Sequence, residues 1–410
     1  MILIIGSGVS SLAFAEKCRQ NDVEYRIIEK SHFGGKARSY DSTCGNGRFD
    51  IAGHFLHFPG KEPRIAGINF NFPLREKNAK VILDDKLYDF PIQSEFKKDH
   101  IFDNLHRWDT YPENSMTEFF VKNFGDLAWK FFVPYNRKIW NISTDILEQE
   151  HFEKFRSPTK GKGYNNMFVY SDSGAQAVPD TIGKHVKKDI EFGEVISIEP
   201  FTKKAIIKNG DSYESFQYTK VLSPMPLPDL CKIVNGFENI SNKLQWSSVI
   251  IFNIIYKTKS STRFDDVSWL YLPNHKSKMF RCGWYSHVSK KMAKKGYESI
   301  YVEVSFPGVL DGNISINDYK YEVLLDLVEI EVLENISQVT TIDPIIVEKA
   351  YPLSVNDKQG QVDAIKKTLE ANNIYPVGRY GLWRWTGMYA DMKYSEELFN
   401  SLYKNNSDLD

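Results

Sequence analysis

The residues best suited to chemistry stand at the start of the chain, where two glycines could admit a phosphate. Gly6 and Gly8 belong to the segment 6–11, a dinucleotide-binding fingerprint in which Ser11 replaces the usual third glycine. Gly6 permits a sharp turn, and Gly8 lacks the Cβ that would block a pyrophosphate. Glu29, about twenty residues further on, stands where an acid accepts ribose hydroxyls. The spacing therefore predicts a dinucleotide site.

A strand, a turn and a helix must hold these glycines in place. The apolar run 1–5 predicts a buried strand, and the periodic apolar residues of 12–18 predict the helix that follows it. The N-terminus of that helix would point free N–H groups and its positive dipole end at the phosphates. Segment 25–28 predicts a second strand that leads into Glu29. These glycines alone could mark an ordinary strand–helix turn. A second glycine cluster therefore serves as independent support for the dinucleotide site.

That second cluster begins at Gly34 and Gly35, in the sequence Gly-Gly-Lys-Ala-Arg-Ser. It is similar to the second FAD-contacting loop of the amine-oxidase-like flavoproteins, which implies FAD rather than NAD and places Arg38 in the same loop. Gly53 and His54 resemble a segment of the UDP-galactopyranose mutases that runs beneath the isoalloxazine ring. The resemblance implies that both residues lie near the flavin.

Three further motifs resemble the mutases and occur in the family's order. The heptad 134–140 matches Pro-Tyr-Asn-x-Lys-x-Trp, and 269–273, Trp-Leu-Tyr-Leu-Pro, precedes Arg281 at the family's spacing. Segment 378–385 is similar to Gly-Arg-Phe-Gly-x-Trp-x-Tyr. Together with the glycine loops, these matches span most of the chain. The protein therefore resembles the UDP-galactopyranose mutases, and its motifs are nearer to the eukaryotic type.

The resemblance implies an isomerase in which reduced FAD acts as the nucleophile toward the anomeric carbon. UDP-galactopyranose and UDP-galactofuranose would interconvert without net redox change, with NAD(P)H as a candidate reductant. The expected partner is a UDP-linked nucleotide sugar, and the expected role is cell-surface polysaccharide synthesis. Because the cofactor carries the hard chemistry, no metal site and no catalytic triad are expected.

The fingerprint and the resemblance together assign candidate roles. The catalytic candidates are Arg281, Arg156 and His54. The cofactor-binding candidates are Gly6, Gly8, Ser11, Glu29, Gly34, Gly35, Arg38, Gly53, His54, Val195, Gly378, Arg379 and Trp385. The substrate-binding candidates are Arg156, Tyr271, Arg281, Trp385 and Tyr389. Forked guanidinium groups suit a diphosphate, so Arg281 and Arg156 are the expected clamp, with Arg156 on a closing loop.

Departures from the family pattern gather where the substrate would bind. Trp385 replaces a tyrosine, Tyr389 stands where an asparagine is expected, and His287 and Val288 replace an Asn-Tyr pair. The particular sugar therefore stays open. Two alternatives also stay open: an amine-oxidase-like or protoporphyrinogen-oxidase-like flavin oxidoreductase, and a non-catalytic protein of a glycan-assembly complex.

Composition limits the partners and the compartment. The 410 residues carry a formal net charge of −1, so no bulk attraction to nucleic acid or to an anionic membrane is expected. The four cysteines are far apart in sequence, which favours reduced thiols in a cytoplasmic protein. No apolar stretch approaches the length of a membrane span. The oligomeric state does not follow from the sequence.

The expected fold class is α/β, with a Rossmann-type FAD-binding domain, a helical insertion and an antiparallel-sheet substrate domain. The FAD-binding domain is expected to be discontinuous, formed by residues 1–60, 186–235 and 365–410. Residues 61–185 would form a helical lid insertion. Residues 236–364 would form the antiparallel sheet, because this region contains several apolar strand-like runs.

Overall fold

The computed structural model describes residues 1–60, 62–95, 112–148, 167–239, 244–258, 262–273, 276–308, 315–353 and 359–403. Its strands in chain order are β1 Ile2–Ile5, β2 Tyr25–Glu29, β3 Ser39–Asp41, β4 Arg48–Asp50, β5 Arg64–Ile65, β6 Ile68–Asn69, β7 Leu74–Glu76, β8 Ala79–Leu83, β9 Lys86–Asp89, β10 Met167–Val169, β11 Ile190–Phe192, β12 Glu194–Glu199, β13 Lys204–Asn209, β14 Ser212–Gln217, β15 Lys220–Ser223, β16 Gln245–Lys257, β17 Trp269–Tyr271, β18 Met279–Trp284, β19 Tyr297–Pro307, β20 Val339–Leu353 and β21 Ile374–Pro376.

The described helices follow the same order. They are α1 Val9–Gln20, α2 Met116–Phe124, α3 Val133–Trp140, α4 Ala177–Ile182, α5 Leu227–Ile233, α6 Tyr285–Val288, α7 Ile316–Glu329, α8 Gln359–Ala371, α9 Gly378–Gly381 and α10 Met388–Tyr403, with a π-helical turn, Ala128–Phe132, before α3. Ser115 caps α2, because its Oγ accepts from the backbone N–H of Glu118 at 3.1 Å. None of the described helices is long and apolar enough to cross a membrane.

A five-stranded parallel sheet, in the order β11-β2-β1-β15-β21, carries the predicted glycine turn. The strand β1 is buried along its whole length, which explains its continuous apolar sequence. Helix α1 follows β1 directly and packs against the C-terminal helix α10, where Phe14 meets Phe399 edge-on at 5.6 Å. The turn therefore lies at the carboxyl end of a central strand, where ligands bind in sheets of this type.

A second, seven-stranded sheet has the order β20-β16-β19-β18-β17-β8-β9. All its neighbours are antiparallel except β17 and β8, which run parallel. Strands β8 and β9 come from the segment 61–185, so the insertion extends the sheet that the sequence places in 236–364. The predicted α/β class, with a Rossmann-type part and a mostly antiparallel sheet, is confirmed.

A buried carboxylate joins the two parts behind the second glycine cluster. Asp50 is fully buried and accepts from Ser39 Oγ at 2.6 Å, the Tyr170 hydroxyl at 2.7 Å and the Ala175 N–H at 3.0 Å. Burial raises the pKa of Asp50 to about 6. A Cβ on Gly174 would lie 2.4 Å from Ser39 Oγ, so this junction needs a glycine. The serine of the second glycine motif thus supports the fold.

Candidate functional site

The first cavity, of about 270 Å³, lies at the carboxyl end of β1. Both glycine clusters line it, together with Glu29 from the end of β2. The C-terminal segment closes the other side through Gly378, Arg379 and Asp391. The structure therefore brings together residues that are far apart in the sequence around one elongated space.

Each glycine of the two loops is explained by a different physical requirement. Gly6 has a φ of +75°, which L side chains rarely adopt, so the turn after β1 requires it. Gly8 has ordinary backbone angles, and a Cβ built on it meets nothing within 4 Å. Gly35 has a φ of +58°, and its Cβ would lie 3.3 Å from the Gly8 Cα. The two glycine loops thus pack backbone against backbone, and Gly8 keeps the space beyond them open.

Glu29 is held in place by the loops that it faces. Its Oε2 accepts from the Ser7 N–H and from Ser7 Oγ, each at 2.7 Å. Its Oε1 accepts from the backbone N–H groups of Ser31 and His32 at 2.8 and 3.1 Å. The carboxylate is buried yet lines the cavity, so it is a fixed acceptor for hydroxyl groups.

A second cavity, of about 510 Å³, opens from the first. The two share the lining residues Lys36, His54, Arg379, Tyr380, Thr386 and Met388. Strands β16 and β20 form an apolar wall, which includes Val249 and Val347, while Tyr351 and Trp385 present aromatic rings. Trp385 also packs edge-on against Trp140, the last residue of the 134–140 heptad, at 5.1 Å.

Arg281 reaches the second cavity as half of a buried ion pair. It stands opposite Glu303 across β18 and β19, and it donates through Nε at 2.6 Å and Nη2 at 2.8 Å to the two carboxylate oxygens. Burial opposes the charge on Arg281, but Glu303, together with Tyr301 and Tyr351, outweighs it and holds the pKa of Arg281 above its ordinary value. Among the described residues Nη1 has no partner, so one edge of the guanidinium remains for an anion.

His54 lies at the junction of the cavities. Its Nδ1 is 3.2 Å from the Ala52 carbonyl oxygen, a contact that assigns the proton to Nδ1 and leaves Nε2 as an acceptor. Burial, followed by the positive charge of Arg379, lowers the pKa of His54 to about 3. The imidazole is therefore neutral at physiological pH. Gly53 before it leaves room for Tyr301, whose hydroxyl would lie 2.4 Å from a Cβ there.

This lowered pKa predicts a loss of stability in acid. The neutral imidazole contributes stability above its ordinary pKa of 6.5, and that contribution is lost as the pH falls toward about 3. His54→Asn should flatten the decline in the urea midpoint between pH 6.5 and 4. Replacing the exposed His32 in the same way is the control. An unchanged decline in His54→Asn would contradict the prediction.

Other sequence candidates lie away from the cavity walls. Ser11 Oγ donates to the Ile5 carbonyl at 3.0 Å, and Arg38 Nε donates to the Gly35 carbonyl at 2.9 Å. The Val195 side chain packs in the core beside β1. The Tyr389 hydroxyl donates to the Arg64 carbonyl at 3.2 Å. None of these four side chains lines either cavity, although each is described.

Neither Tyr271 nor His287 lines either cavity. Tyr271 stands opposite Arg281 in the sheet but packs on Phe90, with ring centroids 4.6 Å apart. His287 stacks on Trp284 at 5.1 Å, outside both cavities. Arg156 lies outside the described residues.

Three of the cavity residues that sequence reasoning missed had a signal in the sequence. Lys36 lies inside the second glycine motif, and that position could have identified it as a cavity residue. Glu303 stands between two valines in β19, a position that indicated a buried partner for its charge. Thr386 follows the conspicuous Trp-Arg-Trp sequence, and its carbonyl accepts from Arg379 Nε at 2.8 Å.

Comparison with known proteins agrees with this architecture. Residues 4–69 match the model of the NAD(P)-binding Rossmann-like domain. The chain has a Rossmann-like domain. A crystal structure of reduced UDP-galactopyranose mutase superposes with a TM-score of 0.85 at 20% identity, covering 98% of this chain and 95% of that one.

Two oxidases show the same fold with lower similarity. A protein of Exiguobacterium sp. 255-15, assigned as a protoporphyrinogen oxidase, gives a TM-score of 0.67 at 15% identity, covering 98% of each chain. Cyclohexylamine oxidase from Brevibacterium oxydans IH-35A gives 0.67 at 9% identity over 99% of each chain. At these identities the comparisons establish the fold that these proteins and this chain share.

Proposed function

We propose that this chain binds FAD and acts as a nucleotide-sugar mutase that interconverts UDP-galactopyranose and UDP-galactofuranose. The observation that carries the proposal is the charge of the second cavity. Among the described residues that line it, Lys36, Arg281 and Arg379 are cationic, and Glu303 is the single carboxylate. Such a cavity suits a substrate with a diphosphate.

The first cavity fits a dinucleotide. Gly8 leaves open space at the N-terminus of α1, where a pyrophosphate is stabilised by free N–H groups. The fixed carboxylate of Glu29 suits ribose hydroxyls. The likeness of the 34–39 loop to FAD-contacting loops supports FAD over NAD. When bound and reduced, FAD would supply the nucleophile that attacks the anomeric carbon.

The residues of the chain would hold the substrate around that chemistry. Arg281 lines the cavity, and its Nη1, which has no hydrogen-bond partner among the described residues, can donate to a phosphate while Glu303 fixes the other edge. The Nε2 atom of neutral His54 can accept from a sugar hydroxyl. Tyr351 and Trp385 offer aromatic faces to a sugar ring. By holding the diphosphate, Arg281 would stabilise UDP as the leaving group.

We place this activity in the cytoplasm, where its product would serve cell-surface polysaccharide synthesis. The four described cysteines are free thiols, and three of them are buried, which supports a reducing compartment.

The decisive experiment supplies UDP-galactose to the FAD-loaded protein after anaerobic chemical reduction. The furanose isomer should form, with no stoichiometric consumption of reductant, and the oxidised protein should be inactive. Hydrogen peroxide produced from an amine or a porphyrinogen would instead support a flavin oxidoreductase. This is the second candidate function, because the fold is also that of the two oxidases. That result would overturn the mutase proposal.

A further inference from the structure

Lys36 occupies the passage between the two cavities. Its backbone follows Gly35, which packs 3.3 Å from the Gly8 Cα, so the start of this side chain is fixed beside the first glycine turn. The side chain lines both cavities. A ligand that extends from the first cavity into the second passes this lysine.

The protein holds the other two cations of the second cavity in place by hydrogen bonds. Arg281 makes two hydrogen bonds to the nearly inaccessible Glu303, whose side chain is 3% exposed. Arg379 donates to the Thr386 carbonyl and faces the charge of Asp391. Both guanidinium groups are therefore held in place by the protein, Arg281 by a carboxylate and Arg379 by a backbone carbonyl.

Lys36 differs from both arginines. Among the described residues its ammonium contacts the Tyr380 ring, 4.0 Å from the centroid, and the Glu348 carbonyl oxygen, 3.4 Å away. Neither partner is a carboxylate, and the carbonyl contact is long for a hydrogen bond. The flexible stem of a lysine lets the ammonium move to an arriving anion. Of the three cations of the second cavity, Lys36 thus has the weakest hydrogen bond to the protein and the most freedom to reach a ligand.

We propose that Lys36 is a substrate-binding residue that holds the diphosphate of the nucleotide sugar at the junction of the cavities. The inference rests on the proposed function. Arg281 then orients one phosphate by a fixed edge, while Lys36 supplies a positive charge on a flexible stem that can move to the anion. A lysine ammonium placed by a glycine loop would thereby determine selectivity for diphosphate ligands over neutral ones.

The test compares UDP with uridine in the FAD-loaded full-length protein. Lys36→Met keeps the length of the side chain and removes its charge. A hydrogen bond to a charged group contributes enough that UDP affinity should fall roughly tenfold to 150-fold. Uridine affinity should change by less than about twofold, since it has no phosphate for the ammonium to contact. Flavin fluorescence during titration measures both ligands.

Two further variants make the result specific. Lys36→Arg should recover much of the UDP affinity, because the charge returns. Lys295→Met, at an exposed lysine outside both cavities, changes the net charge equally and should bind UDP like the parent. The dependence of UDP affinity on ionic strength should be shallower in Lys36→Met than in the parent.

Three outcomes would overturn the inference. Lys36→Met with unchanged UDP affinity would show that the charge does not contact the ligand. If Lys36→Met loses FAD but binds UDP with unchanged affinity once FAD has been added back, Lys36 would be assigned to cofactor binding. A parent protein that fails to bind UDP would overturn the proposed function itself, and the inference with it. The first two outcomes leave the mutase proposal standing.

Discussion

Replacing Gly8 with valine is expected to give a folded protein that does not retain FAD. A Cβ at this position meets no protein atom within 4 Å, and the backbone angles are ordinary, so the fold can accept the side chain. The branched side chain would instead fill the space where the pyrophosphate must lie. The flavin absorbance of the purified protein measures the loss, and circular dichroism measures the fold.

Two comparisons sharpen this prediction. Gly360→Val places the same side chain in open space on the exposed start of α8, away from both cavities, and should keep full FAD content. Gly35→Val should destabilise the fold as well, because its φ is +58° and its Cβ would press on the Gly8 backbone. A yellow, fully loaded Gly8→Val protein would contradict the assignment of the first cavity.

Replacing Arg281 with alanine is expected to weaken UDP binding and to destabilise the fold together. Loss of a charge-assisted contact should lower UDP affinity roughly 10–150-fold. The same change leaves the Glu303 carboxylate buried without its cation, which typically costs about 3–5 kcal/mol. UDP titration and urea denaturation measure the two effects separately.

A double variant separates binding from stability. Arg281→Met combined with Glu303→Leu replaces the pair with apolar side chains of similar size, a change that often leaves stability near its original value. This variant should fold like the parent and still bind UDP weakly. Arg281→Lys should recover only part of the affinity, because a point charge lacks the second edge of the guanidinium. Parent-like UDP binding in both Arg281 single variants would refute the diphosphate contact.

The sequence by itself determined the local elements of the first cavity. An apolar run, a glycine that needs a positive φ and a periodic helix are local requirements, so β1, Gly6 and α1 could be predicted without knowing their neighbours. The hairpin between β13 and β14, which turns at Gly210 with a φ of +60°, is local in the same sense.

Only the tertiary structure decided the second cavity. The pairing of Arg281 with Glu303 depends on the register between β18 and β19, and register is set by packing across the whole sheet. The position of Lys36 at the passage depends on two loops and the C-terminal segment meeting in space. Tyr389 turned toward Arg64 because the rotation of α10 is fixed by its packing on the core. Charge balance between distant residues has no local signature, so the sequence could name Arg281 and Arg379 but could not show that Lys36 joins them or which of the three is paired with a carboxylate.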